Sequence, residues 1–133
     1  MPTETWPVNP WTWQDNFGFS QAVDVKGATR VLFCAGQTSV DASGAALHPG
    51  DMAGQLGQAL DNLETVLRQA GLSLSHVVRL NYYTTDVPAF MAAAPTLGDR
   101  LAGVNPKPAG TLLGVSALFH PDILVEIEAT AVE

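Results

Sequence analysis

The C-terminal stretch leaves this chain the least freedom. Lys107-Pro108-Ala109-Gly110-Thr111 leads into an apolar run ending at Leu118, and after a polar corner, His120-Pro121-Asp122, a second run spans Ile123 to Val132. Both runs are rich in β-branched and apolar residues and bounded by Pro or Gly, so both read as strands. In the second the alternation is strict. Val125, Ile127, Ala129 and Ala131 point one way, while Glu126, Glu128 and Thr130 point the other. Such a strand needs a partner layer on its apolar side and presents carboxylates on the opposite side.

The covering elements lie upstream. Asp51 is placed to cap a helix running to about Ala70, with Gly71 as its stop. Leu56, Leu60, Leu63 and Leu67 form its apolar stripe together with Met52, Ala59 and Val66. His76 precedes a strand from Val77 to Thr84, and Asp86-Val87-Pro88 opens a second helix. That helix should turn Phe90, Ala94, Leu97 and Leu101 to the sheet, with Pro95 and Gly98 kinking or weakening it.

Before the first helix, Phe19 to Val25 and Arg30 to Gln37 read as a hairpin around Lys26-Gly27-Ala28. Val31, Phe33 and Ala35 share one face, Gly36 marks a bend or close approach, and Asp41 to Gly44 is a turn. The prolines among Trp6, Trp11 and Trp13 make residues 1–16 an extended arm. Its indoles either cover an edge or subunit seam, or wall a ligand cleft. The order is ββ-α-β-α-ββ, an α+β chain with a mixed sheet and two helices on one face. At 133 residues the chain reads as a single domain, 1–133.

Composition narrows the function. Hydrophobic residues make up 47% of the chain and charged residues only 14%, a balance that favours burying surface in a homo-oligomer. A net charge of −7 with only six Lys and Arg, all scattered, speaks against a nucleic-acid partner. The one cysteine, Cys34, excludes an intrachain disulfide and fits a small buried apolar residue in a reducing compartment. No basic–apolar leader and no membrane-length apolar run is present, so the expected location is cytoplasmic, with no membrane partner. His48, His76 and His120 lack metal-ligand spacing, and Gly50, Gly54 and Gly57 lack the Lys-Ser/Thr of a phosphate loop. Neither a metal nor a cofactor is expected.

Several short motifs occur together and in order: Gly36-Gln37, Asp41-x-x-Gly44, Gln55 with Ala59-Leu60-x-Asn62-Leu63, Ala70-Gly71, Val77-Val78-Arg79, Thr85-Asp86-Val87, Pro108-Ala109-x-Thr111, and Val125-Glu126-Ile127-Glu128-Ala129. From about Gly18 to Val132 the chain thereby resembles the Rid family, the reactive intermediate deaminases also called YjgF-like or L-PSP proteins. The resemblance implies a chorismate-mutase-like α+β fold, a homotrimer around a barrel of packed sheets, and small-molecule clefts between subunits. It also implies hydrolysis of enamines and imines derived from amino acids, with a basic side chain holding the substrate carboxylate and a glutamate positioning water.

On this resemblance the water-orienting catalytic glutamate falls on Glu126, the first-strand aromatic on Phe19 and the backbone contact near Gly36. Tyr82 or Tyr83, Gly110 and Thr111 complete the expected substrate-binding set. The family's arginine falls on Gly110, its first-strand tyrosine on Phe19, and an asparagine common in the second helix on Ala94. All three changes make the cleft less polar. Lys107, Arg79 and Arg100 are the basic residues on neighbouring segments and the candidates to replace the arginine. Glu128, at i+2 from Glu126, reads as its support. Three functions compete: a divergent imine or enamine hydrolase, favoured by Glu126; a non-catalytic metabolite-binding protein, favoured by Gly110; and an endoribonuclease, disfavoured by the acidic balance.

Overall fold

The computed structural model describes residues 2–133. Its elements are β1 (Glu4–Val8), a 3-10 turn (Trp13–Phe17), β2 (Ala22–Lys26), β3 (Val31–Gln37), α1 (Met52–Gln69), a second 3-10 turn (Leu74–His76), β4 (Val77–Thr84), α2 (Val87–Arg100), β5 (Leu112–Gly114) and β6 (Val125–Val132). Four strands form a mixed sheet ordered β3-β6-β4-β5, in which only the β4–β5 pair is parallel. The expected α+β arrangement of a mixed sheet with two helices is what forms.

β6 lies inside the sheet because its alternation satisfies both sides. Val125, Ile127 and Ala131 are fully buried against the helical layer, and Glu126, Glu128 and Thr130 look outward, half-buried. α1 supplies the facing stripe: Leu56, Leu60, Leu63 and Leu67 are all fully buried. Val66, expected on the stripe, lies at its edge and is 37% exposed. Asp51 caps α1 by accepting from the Gly54 N–H at 3.0 Å, and Gly71 takes the positive φ of 78° that ends it.

Two polar residues on α1 fasten loops to this layer. Buried Gln55 donates to the carbonyls of His48 and Asp122 and accepts from the Leu124 N–H. Asn62 donates to the carbonyls of Thr38 and Val40. Their place in the motif is therefore architectural.

α2 begins as expected, with the Asp86 carboxylate accepting from the Ala89 N–H at 3.0 Å. It continues through Pro95, whose ring sits on the exposed side. On that side the carbonyl left without an N–H partner can turn to water. Arg100 ties α2 to α1 through Asp61, Glu64 and the Gly57 carbonyl.

The expected hairpin does not form. β2 pairs with β1 instead, in a separate antiparallel ribbon running from Glu4↔Lys26 to Val8↔Ala22. The connection into β3 is held by the other end of the chain, where the Thr29 and Arg30 N–H groups both donate to the Glu133 carbonyl. The extended arm thus contains a strand, and Lys26 sits 5.1 Å over the Trp6 ring. The long strand expected from Lys107 to Leu118 shrinks to Leu112–Gly114, preceded by isolated parallel bridges from Ala109 to Ser20 and to Arg79.

The candidate functional site

β4 divides the expected site residues. Neighbouring positions of a strand face opposite sides, so Tyr82 points beneath α2 and Tyr83 points to the outer face. Only one of them can serve any given site within the chain.

On the outer face the structure brings Gly36 and Glu126 together. β3 carries a register irregularity between Cys34 and Gln37, and this lays the Gly36 backbone beneath the Glu126 side chain. A Cβ on residue 36 would fall onto the Glu126 carboxylate and within 2.7 Å of its Cγ. Glycine is needed here for close approach, not for an unusual φ. Across the sheet Glu126 is in register with Tyr83. Among the described residues, no hydrogen bond or ion pair occupies the Glu126 carboxylate.

Glu128 differs. Its Oε1 accepts from the Tyr83 hydroxyl at 2.5 Å and from Asn81 Nδ2 at 3.1 Å. These two donors, with the Arg79 charge as a smaller contribution, hold its pKa below the ordinary carboxylate value. The same hydrogen bond raises the Tyr83 pKa. Glu128 is thus an anion fixed through Oε1, while neither carboxylate oxygen of Glu126 beside it has a donor among the described residues. Asn81, not singled out in the sequence, also accepts from the Thr111 N–H at 3.2 Å. Its i, i+2 relation to Tyr83 was the signal that places it on this face.

On the helical side, Phe19, Tyr82, Gly110 and Thr111 line a cavity of about 700 Å³ under α2, with Ala94 among its walls. Trp13 lines it too, so one indole of the N-terminal segment does wall a cleft. Gly36, Glu126 and Tyr83 are absent from that lining. Within one chain, then, the expected residues form two groups on two faces.

Gly110 has a backbone reason to be glycine. Here the chain runs parallel to β4, with the Leu80 N–H donating to the Ala109 carbonyl and the Tyr82 N–H to the Thr111 carbonyl. A Cβ at residue 110 would collide with the Leu80 carbonyl oxygen and lie 3.2 Å from its carbon. The candidate replacement cations are committed elsewhere or distant. Lys107 Nζ is held by the carbonyls of Leu101, Ala102 and Val104, where it closes the C-terminal end of α2. Arg100 is taken by Asp61 and Glu64. Arg79 is exposed on the outer face, in register with Thr130 and not with Glu126. None of the six Lys and Arg side chains forms an ion pair with Glu126. No helix among the described residues is long and apolar enough to cross a membrane.

Comparison with known proteins places this geometry. The family model described as endoribonuclease L-PSP matches residues 14–133. Protein DfrA of Myxococcus xanthus is 36% identical over 114 residues, covering 86% of this chain and 84% of that protein. A mouse protein named 2-iminobutanoate/2-iminopropanoate deaminase is 33% identical over 115 residues, 86% of this chain and 81% of its own. A solved structure of a Yersinia pestis protein, YyfB, described as a Rid-family protein of unknown function, superposes with a TM-score of 0.87 at 36% identity, covering 97% of this chain and 98% of that one. With its fold, its ordered motifs and these matches in agreement, the chain belongs to the Rid/YjgF family, the family of the endoribonuclease L-PSP model.

Proposed function

We propose that this protein is an imine or enamine hydrolase of altered substrate preference, with Glu126 orienting the attacking water. The observation that carries this reading is the state of the Glu126 carboxylate. It is half-buried, held over the Gly36 backbone and left without a protein partner, while the adjacent Glu128 is fixed through its Oε1 by Tyr83 and Asn81. A carboxylate with free acceptors in a restricted environment can accept a proton from water and aim its lone pair at an electrophilic carbon. Water adds to the C=N carbon, the nitrogen takes up a proton, and collapse of the carbinolamine releases an amine or ammonia and leaves a carbonyl. Relatives named 2-iminobutanoate/2-iminopropanoate deaminase support the reaction class.

The altered preference follows from charge. A substrate carboxylate is best held by a guanidinium fork, and this chain places glycine at residue 110, commits Lys107 and Arg100 internally, and leaves Arg79 exposed in register with Thr130 and not with Glu126. Imines without a carboxylate are therefore the preferred substrates. The exposed outer face, including Phe33 at 80% exposure, is covered in a homotrimer, and the cleft around Glu126 is completed by a neighbouring copy.

The direct test is Glu126→Gln, which keeps the size of the side chain and removes its basicity. Turnover of an imine generated in situ should fall by about a hundredfold or more, with the fold unchanged by circular dichroism. Full turnover in this variant would remove Glu126 as the water-orienting group, whereas no turnover by the folded wild type would remove the hydrolase reading and leave the binding-protein reading, which Gly110 favours.

A further inference from the structure

The basic side chains of this chain, six in all, are committed internally with one exception. Lys26 lies over the Trp6 ring, Arg30 reaches Glu133 and the Ala70 carbonyl, and Arg68 donates to the Thr65 hydroxyl. Arg100 pairs with Asp61 and Glu64, and Lys107 is held by three carbonyls. Arg79 alone makes no side-chain hydrogen bond or ion pair among the described residues. In a chain of net charge −7, a guanidinium without a carboxylate partner calls for an explanation.

Arg79 stands on the outer face of β4, where it lines a cavity of about 420 Å³ between the sheet and the start of β2. Gln21, Ala22 and Val23 form one side and Phe33 of β3 another. Thr130, in register with both Arg79 and Phe33, lines it as well. Gln21 is fixed in place, its backbone N–H donating to Asn9 Oδ1 and its side-chain amide to Gln14 Oε1. The volume lies in the range of small-molecule sites.

The chemistry of the lining is specific. No acidic side chain belongs to it, so the donors of Arg79 and the Thr130 hydroxyl remain open to a ligand. A guanidinium presents a planar fork that matches the two oxygens of a carboxylate. Phe33, Val23 and Ala22 leave the rest of the surface apolar. Glu128 is the neighbouring anion, close enough for the Arg79 charge to help lower its pKa, but its hydrogen bonds go to Tyr83 and Asn81. It weakens the field of Arg79 without occupying its donors.

We infer that this cavity is a binding site for a small carboxylate with a compact apolar body. Arg79 holds the carboxylate through its fork, Thr130 donates a further hydrogen bond, and Phe33 with Val23 covers the body. An uncharged isostere leaves the guanidinium unpaired, and a bare oxyanion leaves the apolar walls uncovered. The site is distinct from the proposed hydrolytic group. Arg79 and Tyr83, the register partner of Glu126, are separated along β4 by roughly 13 Å.

Benzoate, benzamide and inorganic phosphate test the inference, titrated into the full chain as it assembles in solution by ligand-observed NMR and calorimetry at low salt. Benzoate should bind, with benzamide and phosphate each at least tenfold weaker. Arg79→Gln should weaken benzoate at least tenfold, and Thr130→Val, of the same shape, about threefold. Glu128→Gln should tighten benzoate about threefold, because a like charge near Arg79 is removed. Circular dichroism and light scattering should show each variant folded and of wild-type mass. Benzamide or phosphate binding as tightly as benzoate would overturn the inference, as would unchanged benzoate affinity in Arg79→Gln. A folded wild type that binds no benzoate would overturn it too. So would loss of assembly in Arg79→Gln, which would assign the guanidinium to a carboxylate of a neighbouring copy. No turnover is measured, so these outcomes are independent of the hydrolase reading.

Discussion

At the scale of single residues, two glycines and a tyrosine have separable consequences. Gly36→Ala places a methyl group where the Glu126 carboxylate now sits. The obstructing atoms are those of the Glu126 side chain from Cγ outward and not backbone, so the side chain can turn away as a whole. Stability should change little in urea titration, while kcat falls tenfold or more from misplacement of the orienting group. Gly110→Ala meets backbone instead, the Leu80 carbonyl, which cannot swing away. We expect a loss of about 1–3 kcal/mol, measured by urea denaturation. Installing arginine at residue 110 thus first displaces the strand, and this position reports on backbone path as much as on charge. Tyr82 should appear in alkaline stability. Its folded pKa is raised above the ordinary 10.0 by desolvation, so the unfolded chain loses this proton first. Stability is complete below about pH 10 and declines as pH rises further, as ν in the unfolded state drops below that in the folded state. Tyr83 acts in the same direction through its hydrogen bond to Glu128. Subtracting the profile of Tyr82→Phe therefore isolates Tyr82, and an unchanged slope above pH 10 would contradict its desolvation.

At the scale of elements, α1 joins the layers through polar ties as well as leucines. Gln55 makes three hydrogen bonds to loop backbone while fully buried. Gln55→Ala should cost about 2–4 kcal/mol in chemical denaturation, since its partners lose their bonds in a closed space. α1 and β6 were legible in the sequence because each has one dominant period and one buried face. The failures have local causes. Lys26-Gly27-Ala28 does turn the chain, with φ at Gly27 of 76°, but turning did not mean pairing. The Trp- and Pro-rich arm claims β2, and the terminal Glu133 carbonyl claims the N–H groups at the start of β3. The run after Lys107 is apolar enough for a long strand, yet its hydrogen bonds to β4 span only Ala109 to Val115, and just Leu112–Gly114 forms regular strand. The Gly36–Glu126 pair was visible through the ordered motifs. The choice between Tyr82 and Tyr83 was not, because it depends on which face of β4 the helices cover. The cavity was hidden as well: Ala94 and Gly98 read as a stripe member and a weak point of α2, and neither announces an empty volume.

At the scale of the whole molecule, the most exposed large apolar side chain, Phe33, lies on the outer face of the sheet. Phe33 is 80% exposed, Val31 49% and Leu113 40%, all on sheet strands. Covering them in the proposed trimer predicts a light-scattering mass about three times the 14.0 kDa of one chain. Phe33→Lys should shift the population toward single chains, and a wild-type protein that runs as a monomer would remove the proposed intersubunit cleft. The charge distribution leads to the most direct test of the functional account. Imines should be generated in situ from a carboxylate-bearing amino acid and from an uncharged amine, and their trapping by semicarbazide followed with and without the wild-type protein. Suppressed trapping of the uncharged imine, with much weaker effect on the carboxylate-bearing one and loss of both effects in Glu126→Gln, is the predicted result. A folded protein that leaves both imines to the trap, or that acts equally well without Glu126, would contradict the account.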